Sequence, residues 1–473
     1  MGISLALVYP MQGLFSGNQN IYFLWGMADL LPSVFAADPL LNSPDPYPLF
    51  SWLISIFPPQ FLQIWTTLIY ILLNSVYSYS LFGIANRITE LYKNEKQLLS
   101  FVTLFLFLHS SPIWGTYFQT LLNVDLRWMW DSGIAEQGVL RGYLQPSAFG
   151  VFFLLSMHQG MKKNYSAAIL SLLPAVIIHA NYLFLGGLIT VLLLFLSRFE
   201  KKSLVSAGFL LLCVAPYSIY ILNHFVFLDS EVSSAINAAV NLGFEENIHL
   251  NPNNWMNPKF YLQLITMFFG MIFLWKTSLR NIILGITVLG IGLTLTAYLT
   301  NNITLISLNP WRFSIILMPI STTIILSKLI GSSSWVSVRL FVLSAISTIS
   351  FALIYYRIFG NGTSEFLTNW RIIQLFGFIL ILSTIWFISK KSILKFLEPM
   401  VILGLILVGI SSLYIDNISR KNSTQFQVIS IISKKTEPNT IYIIPPSWTS
   451  FRMNAQKAVL QIKILFTGPH FLN

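Results

Sequence analysis

Residues 167–196 read AAILSLLPAVIIHANYLFLGGLITVLLLFL, a stretch without a single Asp, Glu, Lys or Arg. Apolar segments of about 15 to 25 residues have the length that a helix needs to cross a bilayer core of about 30 Å. Hydrophobicity does not alternate along the stretch, which argues against barrel strands. His179 and Asn181 lie where two apolar runs meet without a charged loop. The stretch therefore predicts two membrane helices joined by a tight hairpin.

The composition of the whole chain points the same way. Of its 473 residues, 55% are hydrophobic and only 10% are charged, which leaves too little polar surface to cover a soluble core of this size. The net charge of +11 lies in short clusters between apolar segments, which favours the lipid bilayer as partner and disfavours nucleic acid. We therefore predict an all-α polytopic membrane protein with about 12 to 13 transmembrane helices.

The predicted spans define a transmembrane domain over residues 1–415 and a small outer segment over 416–473. The long first outer loop covers 16–60, and further outer loops cover 115–143 and 229–258. The first apolar run is short and contains Pro10, and residues 466–473 follow no pattern, which leaves open that either terminus is incomplete. The spans lie near 3–15, 61–85, 98–114, 144–160, 165–179, 182–197, 203–228, 259–275, 281–299, 313–330, 339–356, 372–389 and 396–415.

The distribution of Lys and Arg predicts the orientation of the chain. With the N-terminus in the cytoplasm, the inner loops carry fifteen of the 28 Lys and Arg residues, the longer outer loops carry six, and the C-terminal segment carries seven. Cytoplasmic loops have this excess in multi-pass proteins of the cell membrane, whether inner or plasma membrane. The C-terminus is then non-cytoplasmic. Most acidic residues fall in the outer loops, which makes the outer face the candidate working face.

Two carboxylates of the first outer loop are candidate catalytic residues. Asp38 and Asp45 each precede a proline, and the repeated prolines of 44–48 hold the chain out of a helix. A carboxylate partly withdrawn from water has a raised pKa and can act as a general base on a hydroxyl. An equally weighted reading is that each Asp shapes a turn, as Asp before Pro often does.

Polar residues at the outer ends of later spans are candidate substrate-binding residues. Arg141, with Tyr143 close by, opens a span from the outer side, where a guanidinium binds a phosphate or reaches lipid headgroups. Arg312 follows Trp311 at another outer end, and the polar pair His179 and Asn181 favours a cavity. A structural role for His179 and an interfacial role for the loop tryptophans are the more ordinary readings.

The layout resembles the GT-C superfamily of membrane glycosyltransferases, whose members combine many spans with a long, acidic first outer loop. In motif terms the resemblance rests on Gly17-Asn18-Gln19-Asn20-Ile21-Tyr22, Ala28 and Ala37-Asp38-Pro39. It implies an inverting transferase that takes a sugar from a polyprenyl-phosphate donor, with a first-loop aspartate as base and basic residues at the phosphate. Where many members carry an acidic pair this chain has Asn18-Gln19, and neither amide takes up a proton at physiological pH.

Three functions are therefore weighed. The first is sugar transfer from a polyprenyl-phosphate carrier at the outer membrane face, with Asp38 or Asp45 as base and Arg141 or Arg312 at the phosphate. The second is a non-catalytic membrane protein that binds a lipid-linked glycan, which Asn18-Gln19 would explain. The third is a transporter or polymerase component for such glycans, which the nearly uncharged span centres disfavour. No histidine or carboxylate spacing indicates a fixed metal site, so the cofactor is unknown and a divalent metal stays open.

Overall fold

The computed structural model describes residues 1–9, 11–117, 126–226, 249, 251–300, 302, 305–306, 308–331, 394–435, 442–443, 451–455 and 459–460. These residues are mostly helical. Five of their helices are long and apolar enough to cross a membrane, as expected for a polytopic membrane protein. These five candidate spans are Pro59–Thr89, Lys201–Phe225, Arg280–Leu299, Pro310–Gly331 and Val401–Ile418.

The α-helices and strands of the described residues are numbered in chain order. The helices are α1 (Gly2–Val8), α2 (Gln19–Tyr22), α3 (Leu24–Leu30), α4 (Pro32–Phe35), α5 (Pro48–Ser55), α6 (Leu62–Thr89), α7 (Glu95–Leu108), α8 (Val151–Met161), α9 (Tyr165–Leu170), α10 (Leu173–Ile178), α11 (Tyr182–Leu196), α12 (Lys201–Ile221), α13 (Pro258–Leu274), α14 (Arg280–Leu299), α15 (Ser314–Gly331), α16 (Leu394–Asn422), α17 (Thr424–Lys435) and α18 (Phe451–Ala455). The strands β1 (Tyr442–Ile443) and β2 (Val459–Leu460) pair in parallel.

The chain divides into two compact units. The first contains Met1–Met11, Ile69–Gly142 and Ser147–Ile415, and the second contains Gln12–Leu68, Tyr143–Pro146 and Asp416–Asn473. The second unit thus contains the whole predicted first outer loop, 16–60, and the predicted C-terminal segment. The helices α6 and α16 each continue from one unit into the other.

Most predicted spans coincide with helices, but four are interrupted. In the span predicted over 98–114, α7 ends at Leu108 and the chain is not helical at His109 and Ser110. In the span predicted over 3–15 the helix ends at Val8. Tyr9 has φ −105° and ψ 72°, outside the α-helical region that is disfavoured for a residue before proline. The span predicted over 165–179 divides into α9 and α10, with Pro174 in the first turn of α10. The span predicted over 144–160 begins as a 3₁₀-helix and becomes α-helical only at Val151. The spans predicted over 339–356 and 372–389 lie outside the described residues.

The candidate spans of the first unit differ strongly in how much of their surface is buried. The most apolar window of Pro310–Gly331 is 83% buried, whereas that of Lys201–Phe225 is only 17% buried. An apolar helix that stays exposed needs an apolar solvent, which lipid provides. Helix α15 packs closely on α13 because Gly270 has no side chain, and a Cβ there would lie 2.6 Å from the Cα of Ser321.

The second unit contains the short helices of the first loop and a small C-terminal core. Residues 26–35 of the first loop fall in α3 and α4, which separate at Leu31 because Pro32 follows it. In the C-terminal segment Ile429, Phe451 and Ala455 form a buried cluster. The same segment contains β1 at Tyr442–Ile443.

Candidate functional site

A buried carboxyl group, Asp131, is the centre of the polar interactions in the first unit. Asp131 is 1% exposed, and the hydroxyl of Tyr9 lies 2.7 Å from its Oδ2. Burial raises the pKa of Asp131 to about 7, although the Tyr9 hydrogen bond and the positive charges of Arg141 and Lys259 oppose the rise. Asp131 is therefore a carboxyl group that exchanges a proton near neutral pH.

The surroundings of Tyr9 explain how the protonated carboxyl is accommodated. The Tyr9 hydroxyl also lies 2.9 Å from the carbonyl oxygen of Leu140. A tyrosine hydroxyl has one proton and cannot fully satisfy two acceptors. When Asp131 is protonated, its hydroxyl donates to the Tyr9 oxygen and Tyr9 donates to Leu140, so every group is satisfied. When Asp131 is ionised, Tyr9 must divide its single proton between two acceptors.

A second tyrosine, Tyr70, contacts the backbone carbonyl group of Arg141. The Tyr70 hydroxyl, from helix α6, lies 3.0 Å from the carbonyl oxygen of Tyr9 and 2.9 Å from that of Arg141. It therefore bridges the end of α1 and the second outer loop. Buried bonds of this kind hold a loop in one geometry.

The guanidinium of Arg141 lies over an aromatic ring and is open to a ligand. Its central carbon is 4.6 Å from the centroid of Trp128, and Arg127 approaches the same ring at 5.4 Å. Trp128 has φ +55°, a strained conformation for a bulky residue. Within the described residues the Arg141 side chain makes neither a hydrogen bond nor an ion pair, so its donors are available.

Arg312 is the least satisfied charged residue of the described part of the first unit. It lies in a 3₁₀-helix, Pro310–Phe313, that begins at Asn309 in the left-handed conformation with φ +50°. The guanidinium central carbon lies 5.7 Å from the ring centroid of Tyr182. Its Nε and Nη1 are buried and have no hydrogen-bond partner among the described residues. Burying an unpaired cationic donor is costly, so an anionic ligand would relieve the cost.

The two arginines act electrostatically on the same histidine. Partial withdrawal from water and the positive charges of Arg141 and Arg312 lower the pKa of His249. A ring nitrogen of His249 lies 2.7 Å from the carbonyl oxygen of Ala135. We call Arg141, His249 and Arg312 the basic cluster. Beside it Lys259 and Glu136 form an ion pair at 3.4 Å.

The predicted pair His179 and Asn181 lies between α10 and α11, as the expected hairpin requires. His179 is buried and stacks on Tyr182 with ring centroids 4.5 Å apart. Its Nδ1 accepts a hydrogen bond from the backbone N–H of Asn181 at 3.3 Å. Tyr182 in turn donates to the carbonyl oxygen of Ser147 at 2.8 Å. His179 and Asn181 are thus connected to the basic cluster through Tyr182, because the Arg312 guanidinium lies over the Tyr182 ring.

The remaining predicted residues belong to the second unit. Asp38 is 1% exposed and accepts a hydrogen bond from the backbone N–H of Leu40 at 3.1 Å, which caps a 3₁₀-helix. Asp45 accepts from the backbone N–H of Tyr47 at 2.8 Å, and partial burial raises its pKa. Both carboxylates therefore shape turns, which is the alternative to a catalytic role, and Asp45 also has the raised pKa expected of a base.

Two further residues of the second unit are explained by packing. The ring of Tyr143 lies against Gly17, where a Cβ would come within 2.8 Å of the ring and where φ is +53°. Gln19 is fully buried, donates through Nε2 to the carbonyl oxygen of Leu144 at 3.0 Å and accepts from the Ser16 N–H at 3.2 Å. A carboxylate there could not make the first bond. The amide at this position is thus part of the fold.

No family model, curated protein or solved structure matches this chain. Its candidate site is therefore defined by geometry alone. Among the described residues no three His, Cys, Asp or Glu side chains are grouped as a metal site would require. The sequence does not predict the grouping of Tyr9, Asp131, Lys259 and His249, because this grouping depends on contacts between distant segments. The one sign in the sequence is that the second outer loop mixes acidic and basic side chains over residues 125–141.

Proposed function

We propose that the chain is a GT-C-like membrane glycosyltransferase that transfers a sugar from a polyprenyl-phosphate carrier to an acceptor hydroxyl at the outer face of the cell membrane. The observation that carries this proposal is the pair of buried, unpartnered N–H groups of Arg312 in a cluster with Arg141. A planar guanidinium binds phosphate through two parallel hydrogen bonds. The carrier phosphate would supply the acceptors that these donors lack.

The basic cluster would act on the leaving group of the reaction. As the acceptor oxygen bonds to the anomeric carbon, the bond from that carbon to the phosphate oxygen breaks and its electron pair goes to the phosphate. The charge that develops there would be stabilised by the guanidinium donors of Arg141 and Arg312. The reaction inverts the anomeric centre, because one displacement occurs at that carbon.

We assign the base of the reaction to Asp131, because its pKa lies near neutral pH. Asp131 has a pKa of about 7 and belongs to the same unit as both arginines, which suits proton transfer at neutral pH. In this role its carboxylate takes the proton of the acceptor hydroxyl. Asp38 and Asp45 remain the first-loop candidates, and the experiment below compares all three.

A second function is favoured by one observation. Gln19 is held in the fold by its hydrogen bond to Leu144, at the position where many members of the GT-C superfamily carry an acidic residue, and Asn18 makes no capping bond. A chain without that acidic pair could bind the lipid-linked sugar at the basic cluster and pass it on without chemistry. Binding without transfer is the result that would distinguish this function.

The test measures binding and transfer on the same preparations. Purified protein in lipid is given polyprenyl phosphate, and ligand binding is measured as a rise in melting temperature, while radiolabelled donors report transfer. We expect Arg312→Gln and Arg141→Gln to reduce both signals, and Asp131→Asn to abolish transfer while retaining binding. Arg127→Gln is the matched control, because Arg127 is exposed and approaches the same Trp128 ring.

Each alternative has its own outcome in this test. Transfer lost in Asp45→Asn or Asp38→Asn but retained in Asp131→Asn would move the base to the first outer loop. Binding by wild type without transfer across a broad donor panel would establish the non-catalytic function. Equal binding by wild type and the Arg312→Gln protein would refute the phosphate site itself.

A further inference from the structure

A large cavity lies at the opposite ends of the helices, on the side that the Lys and Arg distribution assigns to the cytoplasm. Its volume is about 880 Å³. It is lined by Arg87 in the last turn of α6, by Lys276 in the connection from α13 to α14, and by Lys328 in the last turn of α15. It is separate from the basic cluster and shares no residue with it.

The rim of this cavity carries uncompensated positive charge. Arg87, Lys276 and Lys328 all line it, and all three side chains are exposed. Among the described residues none of the three forms an ion pair, and no carboxylate lines the cavity. Three cations around one concave site raise the local positive potential and favour an anionic ligand. The hydroxyls of Thr277 and Ser278 lie at the same rim, where they donate to the carbonyl oxygens of Leu274 and Met161 at 2.8 Å and 3.3 Å.

The wall of the cavity is apolar and continues onto the outer surface of the helices. Phe268, Ile272 and Trp275 line the cavity and are also strongly exposed, at 58%, 50% and 54%. They lie on α13 and just after it, where the exposed apolar surface of a membrane helix faces acyl chains. A ligand that fits must therefore combine an anionic head with an apolar tail, which excludes a purely water-soluble anion as the natural occupant.

We propose that this cavity is a binding site for an anionic phospholipid of the cytoplasmic leaflet. The lipid phosphate would be held by Arg87, Lys276 and Lys328, and an acyl chain would lie along Phe268, Ile272 and Trp275. Basic pockets between membrane helices on the cytoplasmic side bind anionic headgroups in this way. The inference does not depend on the glycosyltransferase proposal, because it concerns other residues at the other end of the helices.

Native mass spectrometry in detergent tests the site with defined lipids. Wild-type protein is titrated with phosphatidylglycerol, phosphatidylcholine and glycerol 3-phosphate. We expect wild type to prefer phosphatidylglycerol over both others, since only this lipid carries a net negative headgroup together with acyl chains. Replacing Arg87, Lys276 and Lys328 together by Gln should weaken phosphatidylglycerol binding roughly 100-fold, about fivefold for each basic side chain.

Two further variants separate the cavity from general surface charge. The matched control replaces Arg198, Lys201 and Lys202 by Gln, which removes three charges from the same side but away from the cavity. It should change binding less than twofold. Met271→Trp keeps every charge and fills the cavity, and it should also abolish preferential binding. The proposal is overturned if the control triple variant loses as much affinity, if Met271→Trp binds like wild type, or if phosphatidylcholine or glycerol 3-phosphate binds equally well.

Discussion

Replacing Asp131 by Asn should stabilise the protein and remove a pH dependence from its stability. The pKa of Asp131 rises from 3.8 to about 7 on folding, which corresponds to about 4 kcal/mol. Because the folded pKa is the higher one, the folded state holds more protons between these values. The associated stability is complete below about pH 4 and is lost as the pH rises to about 7.

The Asp131→Asn protein is a structural copy of the protonated state. Its carboxamide has nearly the same shape, and its N–H can donate to the Tyr9 oxygen while Tyr9 donates to the Leu140 carbonyl. At pH 8 we expect it to be more stable than wild type by an amount that approaches about 4 kcal/mol. At pH 4.5 the difference should fall to about 1 kcal/mol, because Asp131 is then protonated in the folded state and only partly ionised in the unfolded state.

Thermal unfolding in detergent micelles, followed by tryptophan fluorescence from pH 4.5 to 8.5, measures this difference. Comparing the two proteins at each pH cancels contributions from His249 and other titrating groups. A constant difference across the pH range, or a lower melting temperature for Asp131→Asn at pH 8, would refute the assignment of a buried, neutral carboxyl.

Two further substitutions test the packing and the polar site. Arg312→Met should raise the ligand-free stability by about 1 to 3 kcal/mol in the same unfolding assay, because it removes buried unpaired donors; a loss of stability would mean that the guanidinium is already paired. Gly270→Ala should lower stability by about 1 to 3 kcal/mol, since its Cβ would meet the backbone of the neighbouring helix. Gly208→Ala, which meets nothing within 4 Å, should be neutral or stabilising, and equal effects of the two would contradict the packing assigned to α13 and α15.

The helices could be predicted because membrane spans are encoded locally. Runs such as 281–299 and 313–330 are continuous and apolar, and they form helices at those positions. The misplaced boundaries also have local causes, namely Pro10 after α1 and Pro174 at the start of α10. What composition could not indicate is that α15 is buried while α12 is exposed, since both are equally apolar.

The site was harder to predict, because its parts are far apart in sequence. Tyr9 and Asp131 are separated by 122 residues, and no periodicity connects a tyrosine at a helix end with a loop carboxylate. Arg141 and Arg312 were selected as single residues at the outer ends of spans, and their joint effect on His249 appears only in the folded chain. Asp38 had a local signature, Asp before Pro, and that signature also predicts the cap that it forms.

Asp131 and Arg312 are both unfavourable for folding, and this argues for a function. One is a carboxyl whose ionised form is penalised by burial, and the other is a cation with buried donors that no described residue satisfies. Opposite charges in direct contact would have cancelled much of the cost, yet no ion pair joins them among the described residues. Groups that break local rules without compensation are concentrated at functional sites. If their replacement stabilises the protein and abolishes binding or transfer, the same two residues will have been retained for chemistry at the expense of stability.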